Sequence, residues 1–185
     1  MIALPPIPSW DALHPLVVHF PVALLLVAPV LVLLGLVLEP KRGRGLLVAA
    51  LVLMILGTVA AWVAVQTGEA AGRLADRTPT INAILEQHEE LAETVRLVFT
   101  ALTAVFAAVL FVPTLVRRPL GRAATTSLLV VYLGFYAVGA LLLANTAHNG
   151  GRLVHEQGVH ALMAPSPPLQ QTAWLGGEGA EDEDD

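Results

Sequence analysis

His14-Pro15-Leu16-Val17-Val18-His19-Phe20-Pro21 opens an uncharged, apolar run that continues to Leu38. At about 1.5 Å per residue, the helix from Leu16 to Leu38 would reach about 34 Å, enough to cross a hydrocarbon core of about 30 Å with some tilt. Pro15 and Pro21 suit a first turn, and Pro29 falls mid-span, where a kink is expected. Two imidazoles at the mouth of such a helix are costly to leave unused, because polar groups facing lipid need a partner. Ionisable residues at membrane level are therefore read first as functional.

Working outward, three more apolar runs follow, at 46–65, 97–116 and 126–147, each about the ~20 residues that a spanning helix requires. The composition agrees, with 56% hydrophobic residues, 14% charged residues and a mean hydropathy of +0.71. The fold class expected is all-α, an integral membrane four-helix bundle running up-down-up-down. Its helices lie at about 16–38, 46–65, 84–116 and 126–147 in a domain spanning 1–165. The tail, 166–185, reads as disordered and solvated, since six of the fifteen acids fall in its last eight residues among Gly176, Gly177 and Gly179. Residues 1–13 carry Pro5, Pro6 and Pro8 without a basic residue or a small-residue cleavage site, so they do not read as a cleavable signal peptide.

Lys41, Arg42 and Arg44 follow the first run, and Arg117, Arg118 and Arg122 follow the third, leaving four basic residues elsewhere. The positive-inside rule makes those two loops cytoplasmic. Both termini then lie outside, on the periplasmic side of a bacterial inner membrane, in a multi-pass protein in contact with the lipid bilayer. On that orientation His14, His19, His88, His148, His155 and His160 all fall on the outer side.

Between Ile84 and Val95 the apolar residues share one helical arc, with Glu86, Glu89, Glu90 and Glu93 opposite. His88 projects within the apolar arc and should turn toward the other helices. The second run ends in a stripe of small residues, Ala60, Ala61, Ala64, Gly68, Ala71 and Gly72. Close helix packing is the simpler reading of that stripe, and a groove for a flat cofactor is the other.

The chain has no cysteine, which removes disulfides, iron-sulfur ligation and covalent c-type haem attachment. It carries no Gly-rich phosphate loop, no G-x-S-x-G elbow and no basic patch interleaved with aromatics for nucleic acid. The spans hold almost no charge, so no hydrated conduction path is visible. Tyr132 and Tyr136 share a face that a quinone could contact, with packing the simpler account.

These residues resemble the bacterial membrane family known as domain of unknown function 2231, whose members open with a similar His-Pro-x-x-x-His-x-Pro pattern. The likeness runs from His14 to about His160, through His88 and the glycine-rich segment Gly150-Gly151-Arg152-Leu153-Val154 with Gly158-Val159. It departs at His155, where the family usually has an aromatic, and at Gln157, near which it usually has a histidine. Family members are often joined to Rieske or c-type cytochrome domains, which implies a place in membrane electron transfer within a larger redox complex.

Taken with that implication, the histidines predict haem b held at the outer end of the bundle by imidazoles from different helices. His19 and His88 are the first choice as iron ligands. His14, His148, His155 and His160 are held in reserve, and Arg73, Arg96 and Arg152 are candidates to neutralise the propionates. A divalent zinc or copper site is the alternative, from His14, His148, His155 or His160 with Glu69 or Glu156. The offset of five between His14 and His19, and between His155 and His160, does not match the i, i+4 spacing of hydrolytic zinc motifs. A third reading is an accessory subunit without cofactor, in which each histidine satisfies a backbone group or lines a wet interface. An electron-transfer or accessory subunit fits better than a stand-alone enzyme.

Overall fold

A computed structural model describes residues 8–159 of the chain, apart from 39 and 119. Among the described residues it is all-helical, and four helices are long and apolar enough to cross a membrane. A 3-10 turn, Asp11–Leu13, leads into α1 (His14–Val17) and α2 (His19–Val37), which together make the first of them. The others are α3 (Pro40–Gly72), α4 (Pro79–Leu115) and α5 (Arg122–His155). Consecutive helices pack against each other, and α2 also meets α5, which closes the bundle.

Three of these helices run past the apolar stretches read from the sequence. α3 continues to Gly72, α4 starts at Pro79 and α5 continues to His155, and the added turns of α4 and α5 bury an apolar cluster of their own. At its start, Thr78 caps α4 by accepting from the Ile81 amide at 3.2 Å, with Pro79 in the first turn where no amide is required. Arg77 donates to the Gly72 carbonyl at 2.9 Å and to Asn82 at 3.2 Å, tying the end of α3 to the beginning of α4. The acidic tail and the domain boundary at 165 lie outside the described residues.

The core repeats every three to four residues along each helix. It is built from Leu25, Ala28 and Val32 on α2, Ala50 and Met54 on α3, Phe99 and Phe106 on α4, and Leu129, Tyr132 and Tyr136 on α5. The opposite faces carry exposed Leu26, Val30, Leu33, Val52, Val59, Val130 and Leu141, an apolar exterior suited to lipid rather than water.

Polar groups of the core find partners on neighbouring helices. Thr58 and Thr103 hydroxyls lie 2.9 Å apart, and Tyr132 donates to the Leu102 carbonyl at 3.3 Å. Pro29 lies inside α2 and has no amide to offer the Leu25 carbonyl four residues earlier, and the Tyr136 hydroxyl donates to that carbonyl instead. Tyr132 and Tyr136 therefore serve the bundle interior.

A second, smaller cluster joins Ile81, Ile84 and Leu85 of α4 to Leu153 of α5. Gly158 takes a positive φ of 67° just after α5, and the Val159 amide returns to the Leu153 carbonyl at 3.0 Å. The left-handed glycine turns the chain back over the end of α5, and Val159 packs on the same cluster.

Candidate functional site

The last turns of α3 and α5 and the first turns of α4, together with α1 and the first turns of α2, surround a cavity of about 590 Å³. One wall is the small-residue stripe, with Ala61, Ala64, Gly68, Ala71 and Gly72 all facing the cavity. His14 and His88 both line it, their ring centres 6.4 Å apart and their planes at 85°.

Each ring is held by a backbone carbonyl of a neighbouring helix. His14 Nδ1 lies 2.9 Å from the Ala64 carbonyl and 3.2 Å from the hydroxyl of Thr67. That hydroxyl, fully buried, is itself anchored on the Val63 and Ala64 carbonyls. His88 Nδ1 lies 2.9 Å from the Thr146 carbonyl of α5. A carbonyl can only accept, so the ring proton belongs on Nδ1 in both cases. In the neutral ring the lone pair is then left on Nε2.

Two glycines give the rings their space. A Cβ on Gly68 would fall 2.8 Å from Cε1 of His14, and one on Gly150 would fall 3.1 Å from Cε1 of His88. Gly150 and Gly151 thus lie within α5, not after it, and Gly150 serves the ring of His88.

Glu86, Glu89, Glu90 and Glu93 surround His88 on α4, marking this level as outside the apolar span that begins at Leu97. Burial is the main cause that lowers the pKa of both imidazoles below the ordinary histidine value of 6.5. The neighbouring His88 lowers His14 further, while the carbonyl bonds of each ring act in the opposite sense. The balance keeps both rings neutral at neutral pH, with their lone pairs free.

The remaining sequence candidates sit elsewhere or play lesser parts. His19 lines the cavity but is exposed, because five residues beyond His14 is about 140° around a helix. The pair that meets is therefore His14 with His88, in place of the expected His19 with His88. His155 lines the rim and is exposed, His148 is exposed outside the lining, and His160 lies outside the described residues.

None of Arg73, Arg96 and Arg152 lines the cavity. Arg96 sits 4.6 Å over the ring of Trp62, and Arg152 pairs with Glu156 at 3.1 Å. The charged residues of the lining are carboxylates, Asp11, Glu69, Glu89 and Glu93. Among the described residues no group of three or more His, Asp or Glu is gathered tightly enough to enclose a bare metal ion.

Thr67 and the two ring-contacting glycines are the site residues that sequence reasoning did not single out as such. For the glycines the signal was present in the small-residue stripe and in the Gly150-Gly151 pair, each of which gives room to a side chain from another helix, whereas Thr67 carried none.

The chain matches the family model described as "Predicted membrane protein (DUF2231)" over residues 10–162, and it belongs to that family. No curated protein and no solved structure matches it.

Proposed function

We propose that this member of the DUF2231 family binds haem b between His14 and His88 and serves as an electron-transfer subunit of a larger membrane redox complex. The bundle runs up-down-up-down, with the cavity and both termini on the periplasmic side of the inner membrane and the arginine-rich loops in the cytoplasm. A Rieske or c-type cytochrome protein is the partner class that such a subunit would serve.

The observation that carries this reading is the His14–His88 pair, with ring centres 6.4 Å apart and each Nδ1 committed to a carbonyl. With both Nδ1 atoms committed, Nε2 of His14 and Nε2 of His88 are the donors that would hold the haem iron. The volume of about 590 Å³ falls within the ~300–1,000 Å³ usual for cofactor sites and is larger than a bare ion needs. The lining supplies no guanidinium for propionates, so Arg73, Arg96 and Arg152 have no part in the proposal.

When bound, haem supplies one-electron chemistry. The chain's own contribution is orientation and exclusion. The Ala64 and Thr146 carbonyls fix the tautomer and rotation of the two rings and raise their basicity as ligands. Burial keeps both rings unprotonated, and the apolar walls limit water.

An oxidised-minus-reduced spectrum of the purified full chain tests the reading. The wild type and His19→Ala should show the sharp reduced bands of a low-spin haem, and His14→Ala and His88→Ala should lose them. A wild type that is colourless as purified and takes up no haem when it is supplied would overturn the proposal in favour of a cofactor-free accessory subunit. Metal analysis of the same material reports on the zinc or copper alternative.

A further inference from the structure

At the other end of the bundle, Arg44 at the start of α3 and Arg122 at the start of α5 line one cavity of about 310 Å³. Its apolar walls come from Leu36, Leu47, Leu120 and Leu129, and its polar lining residues are the exposed Arg44 and Arg122 and the half-buried Thr125 and Thr126. Among the described residues no carboxylate lines it.

Both arginines stand at the edge of an apolar run, Arg44 just before the one at 46–65 and Arg122 just before the one at 126–147. That edge is the depth at which phospholipid phosphates lie, with acyl chains below them. The backbones of α2 and α3 meet here, since a Cβ on Gly43 would collide with the Gly35 carbonyl. The cavity therefore has a rigid side against which a ligand can be held.

From this placement we propose that the cavity seats an anionic phospholipid, its phosphodiester between Arg44 and Arg122 and its glycerol and upper acyl carbons on the leucine walls. Guanidinium groups suit a phosphate better than a point charge would, because their paired N–H donors match two oxygens at once. The position at the hydrocarbon edge favours a lipid over a dissolved anion. The site is independent of the histidine cavity and of any cofactor bound there.

The test is the dissociation constant for phosphatidylglycerol, measured by native mass spectrometry of the full chain released from phosphatidylcholine nanodiscs. Replacing both arginines, Arg44→Gln with Arg122→Gln, should weaken phosphatidylglycerol about thirtyfold, and each single replacement about fivefold. The single variants carry the test if the double one does not fold. Arg117→Gln with Arg118→Gln removes the same charge from the same end and should change binding little. The proposal is overturned if that control loses as much, if the Arg44 and Arg122 variants bind phosphatidylglycerol as the wild type does, or if inorganic phosphate competes with the lipid.

Discussion

The Tyr136 hydroxyl takes the place, on the Leu25 carbonyl, of the amide that Pro29 lacks. Both residues are buried in the core, where an orphaned carbonyl would have neither water nor another helix to turn to. Tyr136→Phe should therefore lower stability by about 1–2 kcal/mol. In a Pro29→Ala background the helix supplies its own amide, and the same replacement should cost little. Unfolding of the four proteins in one detergent completes the double-mutant cycle, and equal losses in both backgrounds would refute the pairing.

Gly68 and Gly150 predict different outcomes for the same substitution. At Gly68 an added methyl meets the ring of His14 at 2.8 Å, so Gly68→Ala should displace the ring and destabilise the fold by about 1–3 kcal/mol. At Gly150 the approach is 3.1 Å, close enough to need only a small shift of His88. There the gain in helix propensity, about 1 kcal/mol, should largely offset the crowding. Thermal melts of the two variants give the comparison.

Acid should loosen the site. Both imidazoles have a pKa below 6.5 when folded, so in acid the unfolded chain binds protons that the folded one does not. The associated stability is present above about pH 6.5 and is lost as the pH falls below it. Melting temperatures between pH 8 and pH 5 should fall on the acid side, and His88→Gln should flatten that fall. A wild-type curve that is level or rises toward acid would contradict the neutral assignment.

The Trp62 side chain makes two contacts with α4, its ring lying beneath the Arg96 guanidinium at 4.6 Å and its indole N–H donating to the Thr100 hydroxyl at 3.0 Å. Trp62→Phe keeps an aromatic face and loses the donor. Trp62→Leu loses both and should cost about 0.5–2 kcal/mol, the larger of the two effects in chemical denaturation.

The spans were legible because twenty apolar residues without charge have few alternatives, and Leu16–Leu38 or 46–65 can be read by length alone. The inward turn of His88 was legible from the arc it shares with Leu91, Ala92 and Val95. The choice between His14 and His19 was not, because both precede or open the same helix. What separates them is where the Ala64 carbonyl and Gly68 stand on another helix, a long-range fact that no local pattern carries. The arginines misled for a related reason. Their charge suggested propionate partners, whereas the structure places them off the cavity lining, Arg96 over the ring of Trp62 and Arg152 beside Glu156. Tyr136 carried no local sign of its partner, since the need it meets arises at Pro29, on a helix far away in sequence.

From Pro79 to Arg96, α4 runs about 27 Å before it reaches its apolar stretch. His88 hangs on this length and is tied to α5 at the Thr146 carbonyl, while His14 hangs on α1 and is tied to α3 at the Ala64 carbonyl. A thicker or thinner bilayer would therefore be absorbed by tilt lower down and at the arginine loops. The separation of the rings should stay the same from one host membrane to another, which makes the histidine end a scaffold of constant gauge standing on an adjustable foot.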